Sequence, residues 1–264
     1  AAWRAAQRGL GGEVIVAAVV DEEWQSAGTR GLLERGVRAD AAIVTEPTRL
    51  AIAPAHKGFT WTEVTLRGRA AHGSRYDVGV DAIRHAGLLL ADLDRLEREI
   101  LVRRTHPLLG HASLHAATIA GGSGWSTYPD WCRLDIERRT VPGESPADAI
   151  REMEEAAERL RASTAADATV RHVFSQWPSD VALDAPIVTA LDGALRSRGE
   201  AVAVEGLSAW TDAALLNAAG VPAICYGPGD IALAHAATEW VVEADIARAA
   251  DVLERLAIAW CGAR

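Results

Sequence analysis

The hydrophobic pattern changes style twice along this chain, and that change limits the architecture more than any other feature. Residues 14–20 (VIVAAVV) form an uninterrupted apolar, β-branched run closed by Asp21-Glu22-Glu23, the pattern of a strand buried on both faces of a parallel sheet. Residues 41–45 repeat it more briefly before Glu46-Pro47, and residues 26–35 between them can form a crossover helix, so the opening reads as a βαβ unit. From Phe59 the pattern alternates, predicting a half-exposed strand that ends at Gly68. Helical spacing over 80–101, strands over 111–119 and 131–138 around the turn-rich GGSGWSTYPD, a helix capped by Ser145-Pro146, and a strand over 169–174 complete a β-α-β-β-α-β series. That order describes a ferredoxin-like sandwich. After Trp177-Pro178 the first style returns: a helix over 187–197, a strand over 201–204, a helix over 212–219, and a buried strand over 223–226 ending in Gly227-Pro228-Gly229. The last helix carries Ile246, Ala249, Leu253, Leu256 and Trp260 on one face. The expected fold class is therefore α/β: an outer α/β domain formed by residues 1–56 and 176–264, interrupted by an α+β ferredoxin-like domain over 57–175.

Composition closes off several functions. At 264 residues the chain can bury roughly 70–75% of its unfolded surface, so no staple is needed for folding. Twenty-seven basic against 36 acidic residues give a net charge of −9, which argues against nucleic acid as a partner. The apolar runs stop far short of the ~20 residues of a membrane helix. Cys132, Cys225 and Cys261 are odd in number and show no C-x-x-C spacing, so the expectation is three small buried hydrophobes in a cytoplasmic, reducing setting. The chain opens at Ala1 and its one methionine is Met153, from which we expect a further segment upstream. Lys57 is the only lysine, and this arginine bias weakens inferences from any single arginine.

Three carboxylates at one strand end repel one another unless a cation or solvent compensates. Since neighbouring strand residues point in opposite directions, Glu22 and Glu23 can do different work, one as general base and one as ligand; a solvated acidic loop is the plainer alternative. Glu46 follows the second expected strand, and His235 lies beyond the Gly227-Pro228-Gly229 turn. Carboxylates with an imidazole make an oxygen and nitrogen donor set suited to zinc or cobalt, although strand-end carboxylates and lone histidines are also ordinary. His72, in AAHGSR, is either an oxyanion donor or an exposed turn residue. Arg138 and Arg139 end a strand where either could grip a carboxylate, or simply be solvated.

Taken in order, VVDEEWQSAG, TEPT, HKG, AAHGS, GGSGWSTYP, ERRTVPGE, TDAALLNAAGVPAICYGPG and AHAATE resemble the zinc-dependent amidohydrolases typified by acetylornithine deacetylase, succinyl-diaminopimelate desuccinylase, aminoacylase and glutamate carboxypeptidase. The resemblance implies a zinc-exopeptidase-like catalytic domain with two bridged divalent metal ions, zinc or alternatively cobalt. It also implies a lid domain through which the protein forms a homodimer, with Lys57-Gly58 as the hinge. By the same resemblance Glu22 is the general base, Glu23, Glu46 and His235 are metal ligands, and His72 reaches the partner's site. Arg139, with Ser126, Gly227 and Gly229, would bind the substrate, an N-acyl amino acid or dipeptide. Ser126 stands where the family pattern has asparagine. The family's His-x-Asp motif and bridging aspartate have no counterpart before Asp21, so the catalytic domain is expected to be incomplete at its N-terminus, and these residues alone are expected to bind metal weakly and hydrolyse little. Deacylase, dipeptidase or carboxypeptidase, and a non-catalytic dimeric relative all remain open.

Overall fold

The computed structural model describes residues 1–262 and divides into two compact units, residues 1–56 with 179–264 and residues 57–178. The first unit opens with α1 (Ala2–Ala6), α2 (Ala27–Glu34), β1 (Ala42–Val44) and β2 (Ile52–His56). The second contains β3 (Gly58–Arg67), α3 (Ala82–Glu99), a hairpin of β4 (Thr105–His106) and β5 (Gly110–His111), then β6 (Ser113–Gly121), β7 (Trp131–Thr140), α4 (Pro146–Ser163) and β8 (Asp167–Gln176). The chain then returns to the first unit with β9 (Ser179–Asp180), α5 (Pro186–Arg196), β10 (Val204–Leu207), α6 (Ala213–Ala218), β11 (Ala223–Cys225) and α7 (Glu243–Cys261). The expected mixed α/β class is observed.

In the first unit the sheet order is β1-β11-β2-β10, with β9 also pairing with β2. β1 runs parallel to β11 and β10 parallel to β2, whereas β11 and β9 pair with β2 antiparallel. Period-two alternation distributes the strand side chains to two cores. Ile52, Ile224 and Tyr226 pack with Val188, Leu191 and Leu195 of α5 and Val252 and Leu256 of α7. Ala53, Ala223 and Cys225 pack with Leu207 and Ala213 in the other. β2 was not foreseen, because Pro54 in IAPAH argues against an interior strand. The structure accommodates it at an irregularity: the register with β10 shifts between Val204↔Ile52 and Gly206↔Ala55, skipping the residue that lacks a donor.

The expected strand over 14–20 is a correction. The segment has no regular secondary structure, and every residue in it is exposed, Val16 to 75% and Val20 to 70%. A buried strand needs a hydrogen-bonded neighbour and covered faces. Among the described residues, the one backbone hydrogen bond within this stretch runs from Gly28 N to Val20 O at 3.0 Å. The crossover helix and second strand of the expected unit do form, as α2 and β1.

The second unit is an antiparallel sheet in the order β6-β7-β3-β8, so that its four long strands lie in the spatial order second, third, first, fourth, consistent with the ferredoxin-like arrangement. α3 buries Ala82, Ala86, Leu89, Leu93 and Leu96 at i, i+3, i+4 spacing against Val64, Leu66, Cys132, Leu134 and Ile136. α4 begins with a complete capping box between Ser145 and Asp148. Arg138, on the inward face of β7 and only 1% exposed, bonds Glu144 and, through Nε at 2.9 Å, Glu152. Arg104 reaches the same two carboxylates. Arg138 is thereby removed from the possible substrate-binding arginines.

Candidate active site

The acidic tripeptide divides its labour in the way its backbone requires. Asp21 adopts a left-handed conformation (φ 66°), accepts from Ser26 N at 2.6 Å through its carbonyl, and uses Oδ2 to accept from Ala27 N at 3.2 Å, capping α2. Its carboxylate is committed to the turn. Glu22 is half-buried, and its carboxyl is pushed up from 4.5 to about 7, first by burial and then by Glu46, Asp212 and Glu23. Burial first, then Glu23 and Asp212, likewise raises Glu46. Four carboxylates thus feel one another's field in this unit.

Glu46 leaves β1 on a loop held from below by the glycine turn. Thr48 N donates to Gly227 O (3.3 Å), Leu50 N to the same oxygen (2.9 Å) and Gly227 N to Thr48 Oγ1 (3.1 Å). A Cβ on Gly227 would stand 2.6 Å from Glu46 O, and Gly229 (φ +87°) accepts from Arg49 N at 2.8 Å. The structure therefore places Gly227 and Gly229 beneath the Glu46 loop, where they position a carboxylate. His235, itself left-handed (φ 62°), brings Nε2 to 3.5 Å from Glu23 Oε2, with both side chains about three-quarters exposed.

Asp212 is the residue that sequence reasoning passed over, although it lies in the quoted TDAALL segment. It is 3% exposed, accepts from Thr29 Oγ1 of α2 at 2.5 Å through Oδ2, and leaves Oδ1 buried without a partner among the described residues. Cys225 lies within reach of the same charges. Burial, with Glu46 and Glu22 adding to it, pushes its thiol up to about 12, so it stays protonated.

Carboxylate oxygens plus an imidazole, with mutual repulsion and an orphaned buried oxygen, suit a divalent cation in chemical kind. In number they fall short: among the described residues no group of three His, Cys, Asp or Glu side chains is arranged to hold a metal ion. Glu23 with His235 is a partial donor pair, and Glu46 and Asp212 are near enough to feel each other's charge.

The remaining predicted residues belong to the second unit. The loops carrying His72 and Ser126 are joined: Gly73 N donates to Ser126 O at 2.7 Å, Tyr128 N to Ala71 O at 2.8 Å, and His72 bridges Thr127. Arg139, paired in register with Phe59 on β3, holds its guanidinium 5.3 Å over the Phe59 ring and gives Nε to Glu137 at 2.6 Å. Lys57 donates to His111 O at 2.6 Å; its ammonium is held below the usual range by burial and by Arg139 and Arg138.

The sequence model of peptidase family M20/M25/M40 matches residues 1–259. The chain belongs to that family. As an M20 family chain it is 33% identical over 257 residues to the acetylornithine deacetylase of Myxococcus xanthus, covering 95% of this chain and 66% of that protein. It is 27% identical over 277 residues to an N-formyl-4-amino-5-aminomethyl-2-methylpyrimidine deformylase of Bacillus subtilis, covering 96% and 65%. The chain thus spans slightly less than two thirds of these relatives. Among solved structures, aminopeptidase PepT of Bacillus cereus superposes with a TM-score of 0.76 at 19% identity, over 91% of this chain and 62% of that one. A dinuclear metal-binding M20 peptidase of Bacillus subtilis gives 0.65 at 20%, over 89% and 62%. These likenesses establish a fold shared with both solved structures. No helix among the described residues is long and apolar enough to cross a membrane.

Proposed function

We propose that this chain supplies the general base and part of the metal donor set of an amide hydrolase acting on N-acyl amino acids, with deacylation of the acetylornithine deacetylase type as the leading reaction. One observation carries the reading: half-buried Glu22 stands in the field of Glu46, Asp212 and Glu23, an acidic convergence that favours a bound proton or cation and so suits a base working beside metal ions. Glu23, Glu46 and His235 are the donors toward two divalent ions, zinc or alternatively cobalt. Such ions, when bound, supply Lewis acidity and ease the deprotonation of water. Glu22 takes the proton from the attacking water and passes it to the leaving amine, His72 of a second copy of the chain donates to the developing oxyanion, and Arg139, with Ser126, holds the substrate carboxylate.

The partner proposed is a second copy of the chain, with the second unit as dimerisation domain and lid. β6 supports this: it lies at the sheet edge, its nine residues carry no Asp, Glu, Lys or Arg, and most are exposed, which leaves an unguarded row of donors and acceptors. A cytoplasmic location belongs to the same proposal. Acetylornithine deacetylase and the deformylase among the relatives favour a deacylase over a dipeptidase or carboxypeptidase. A non-catalytic dimeric relative is favoured by the unconverged donors.

The test is a substrate panel of N-acetyl amino acids and dipeptides, assayed on the complete gene product with added zinc or cobalt, alongside calorimetric metal titration. Turnover of N-acetyl amino acids that is abolished by chelator supports the proposal. Metal binding with dipeptide turnover alone replaces deacylation by peptidase action, and neither binding nor turnover makes the non-catalytic reading the better one.

A further inference from the structure

His72 is exposed, but its ring is not free to choose a tautomer. Its Nδ1 lies 2.9 Å from Ser74 Oγ and 3.3 Å from the Ser74 backbone nitrogen. The hydroxyl can donate or accept; the backbone N–H can only donate. An Nδ1–H proton would point at that N–H, so the backbone decides the matter: Nδ1 carries the lone pair and the neutral ring carries its proton on Nε2. With the tautomer set, the Ser74 hydroxyl also donates, and two donors converge on one acceptor. The backbone that aims them is itself fixed, since Arg75 N donates to His72 O at 2.7 Å, Gly73 N to Ser126 O at 2.7 Å, and His72 bridges Thr127. Among the described residues Nε2 has no hydrogen-bond partner.

We propose that Ser74 is a positioning residue that holds His72 as the Nε2–H tautomer, so that the outward face of the ring is a hydrogen-bond donor. This rests on the proposed role of His72 toward a developing oxyanion, which accepts hydrogen bonds and is served only by a donor. With the opposite tautomer the ring would present a lone pair to the same negative oxygen and repel it. Ser74 touches no substrate; it acts through the imidazole.

The experiment is long-range proton–nitrogen NMR of the histidine rings in the 264-residue chain, with the His72 signals identified by their loss in His72→Gln. The expected result is a protonated Nε2 and an unprotonated Nδ1 in the parent. Ser74→Pro, which removes the backbone N–H, should raise the Nδ1–H form about five-fold, the effect of losing one ordinary hydrogen bond, whereas Ser74→Ala, which keeps that N–H and loses only a hydroxyl able to serve either tautomer, should keep the parent tautomer. A parent ring protonated at Nδ1, or a Ser74→Pro spectrum identical to the parent's, overturns the proposal. In the hydrolysis assay, Ser74→Pro should lower kcat in proportion to the lost Nε2–H fraction with KM unchanged, and Ser74→Ala should retain it. If His72→Ala leaves hydrolysis unchanged, the role assigned to His72 in the reaction falls, whereas the ring spectrum still decides on its own what Ser74 does.

Discussion

Replacing Glu22 by glutamine should stabilise the metal-free chain at alkaline pH and leave it unaltered at acid pH. The Glu22 carboxyl is pushed from 4.5 up to about 7 by burial and by Glu46, Asp212 and Glu23. A raised carboxyl means that between those two values the folded state binds more protons than the unfolded state, so stability falls as pH rises through that window. The gap between 4.5 and about 7, at about 1.36 kcal/mol per pH unit, sets a ceiling of about 3 kcal/mol above pH 7. Glu22 is only half-buried, and solvent screening reduces the expected effect to about 1–2 kcal/mol. Glutamine is neutral at every pH and removes the cost, so the variant should exceed the parent by about 1–2 kcal/mol at pH 8 and match it at pH 4. Urea unfolding in the presence of chelator at pH 4, 6 and 8 measures this, with the exposed Glu99→Gln as baseline. A difference that stays constant across these pH values, or a parent more stable than the variant at pH 8, refutes the reasoning.

In a metal-loaded, active protein the same Glu22→Gln should cost about 10²–10⁴-fold in kcat while calorimetry finds metal affinity nearly unchanged, as expected for a base that is not a ligand. Glu152→Ala should destabilise by about 3–5 kcal/mol in urea unfolding, because it strips one carboxylate from the buried Arg138. Gly79→Ala should cost about 1–3 kcal/mol, since the new methyl would stand 2.5 Å from Tyr128 Cγ; the double variant with Tyr128→Ala should recover part of that loss in the same assay, where a purely additive result would locate the strain elsewhere.

Periodicity was enough to read α3, α4, α5 and α7, because each buries a single stripe and its apolar spacing survives whatever lies opposite. β3 and β7 were legible for the matching reason that one face is core and the other is not, visible in Cys132, Leu134 and Ile136 against Trp131, Arg133 and Asp135. β2 was hidden since its identity lies in neighbours: an alanine-rich, proline-containing pentapeptide is fully buried because β9, β10 and β11 all pair with it. Residues 14–20 fail in the opposite direction. Their composition is that of a buried strand, yet composition reports only that a segment would gain from burial, and none of the described residues offers it a partner strand.

The site divides along the same line. Glu46 and His235 could be singled out because each follows a strand or turn, and Glu22 and Glu23 because they close an apolar run that reads as a strand, a local property of the sequence even though that strand does not form. What each carboxylate does there is not local. Asp21 has the same side-chain chemistry as its neighbours but is consumed as a helix cap. Asp212, in an alanine-rich helix start, becomes part of the acidic cluster only because Thr29 of α2 draws one of its oxygens inward and leaves the other bare. The raised Glu22 is the product of that convergence: burial alone would move it upward, but Glu46 and Asp212 keep the pressure on it from two separate elements. A proton or a cation is what relieves such a cluster, and the hydrolysis proposed above would draw on both, a proton on Glu22 during the reaction and cations at its neighbours.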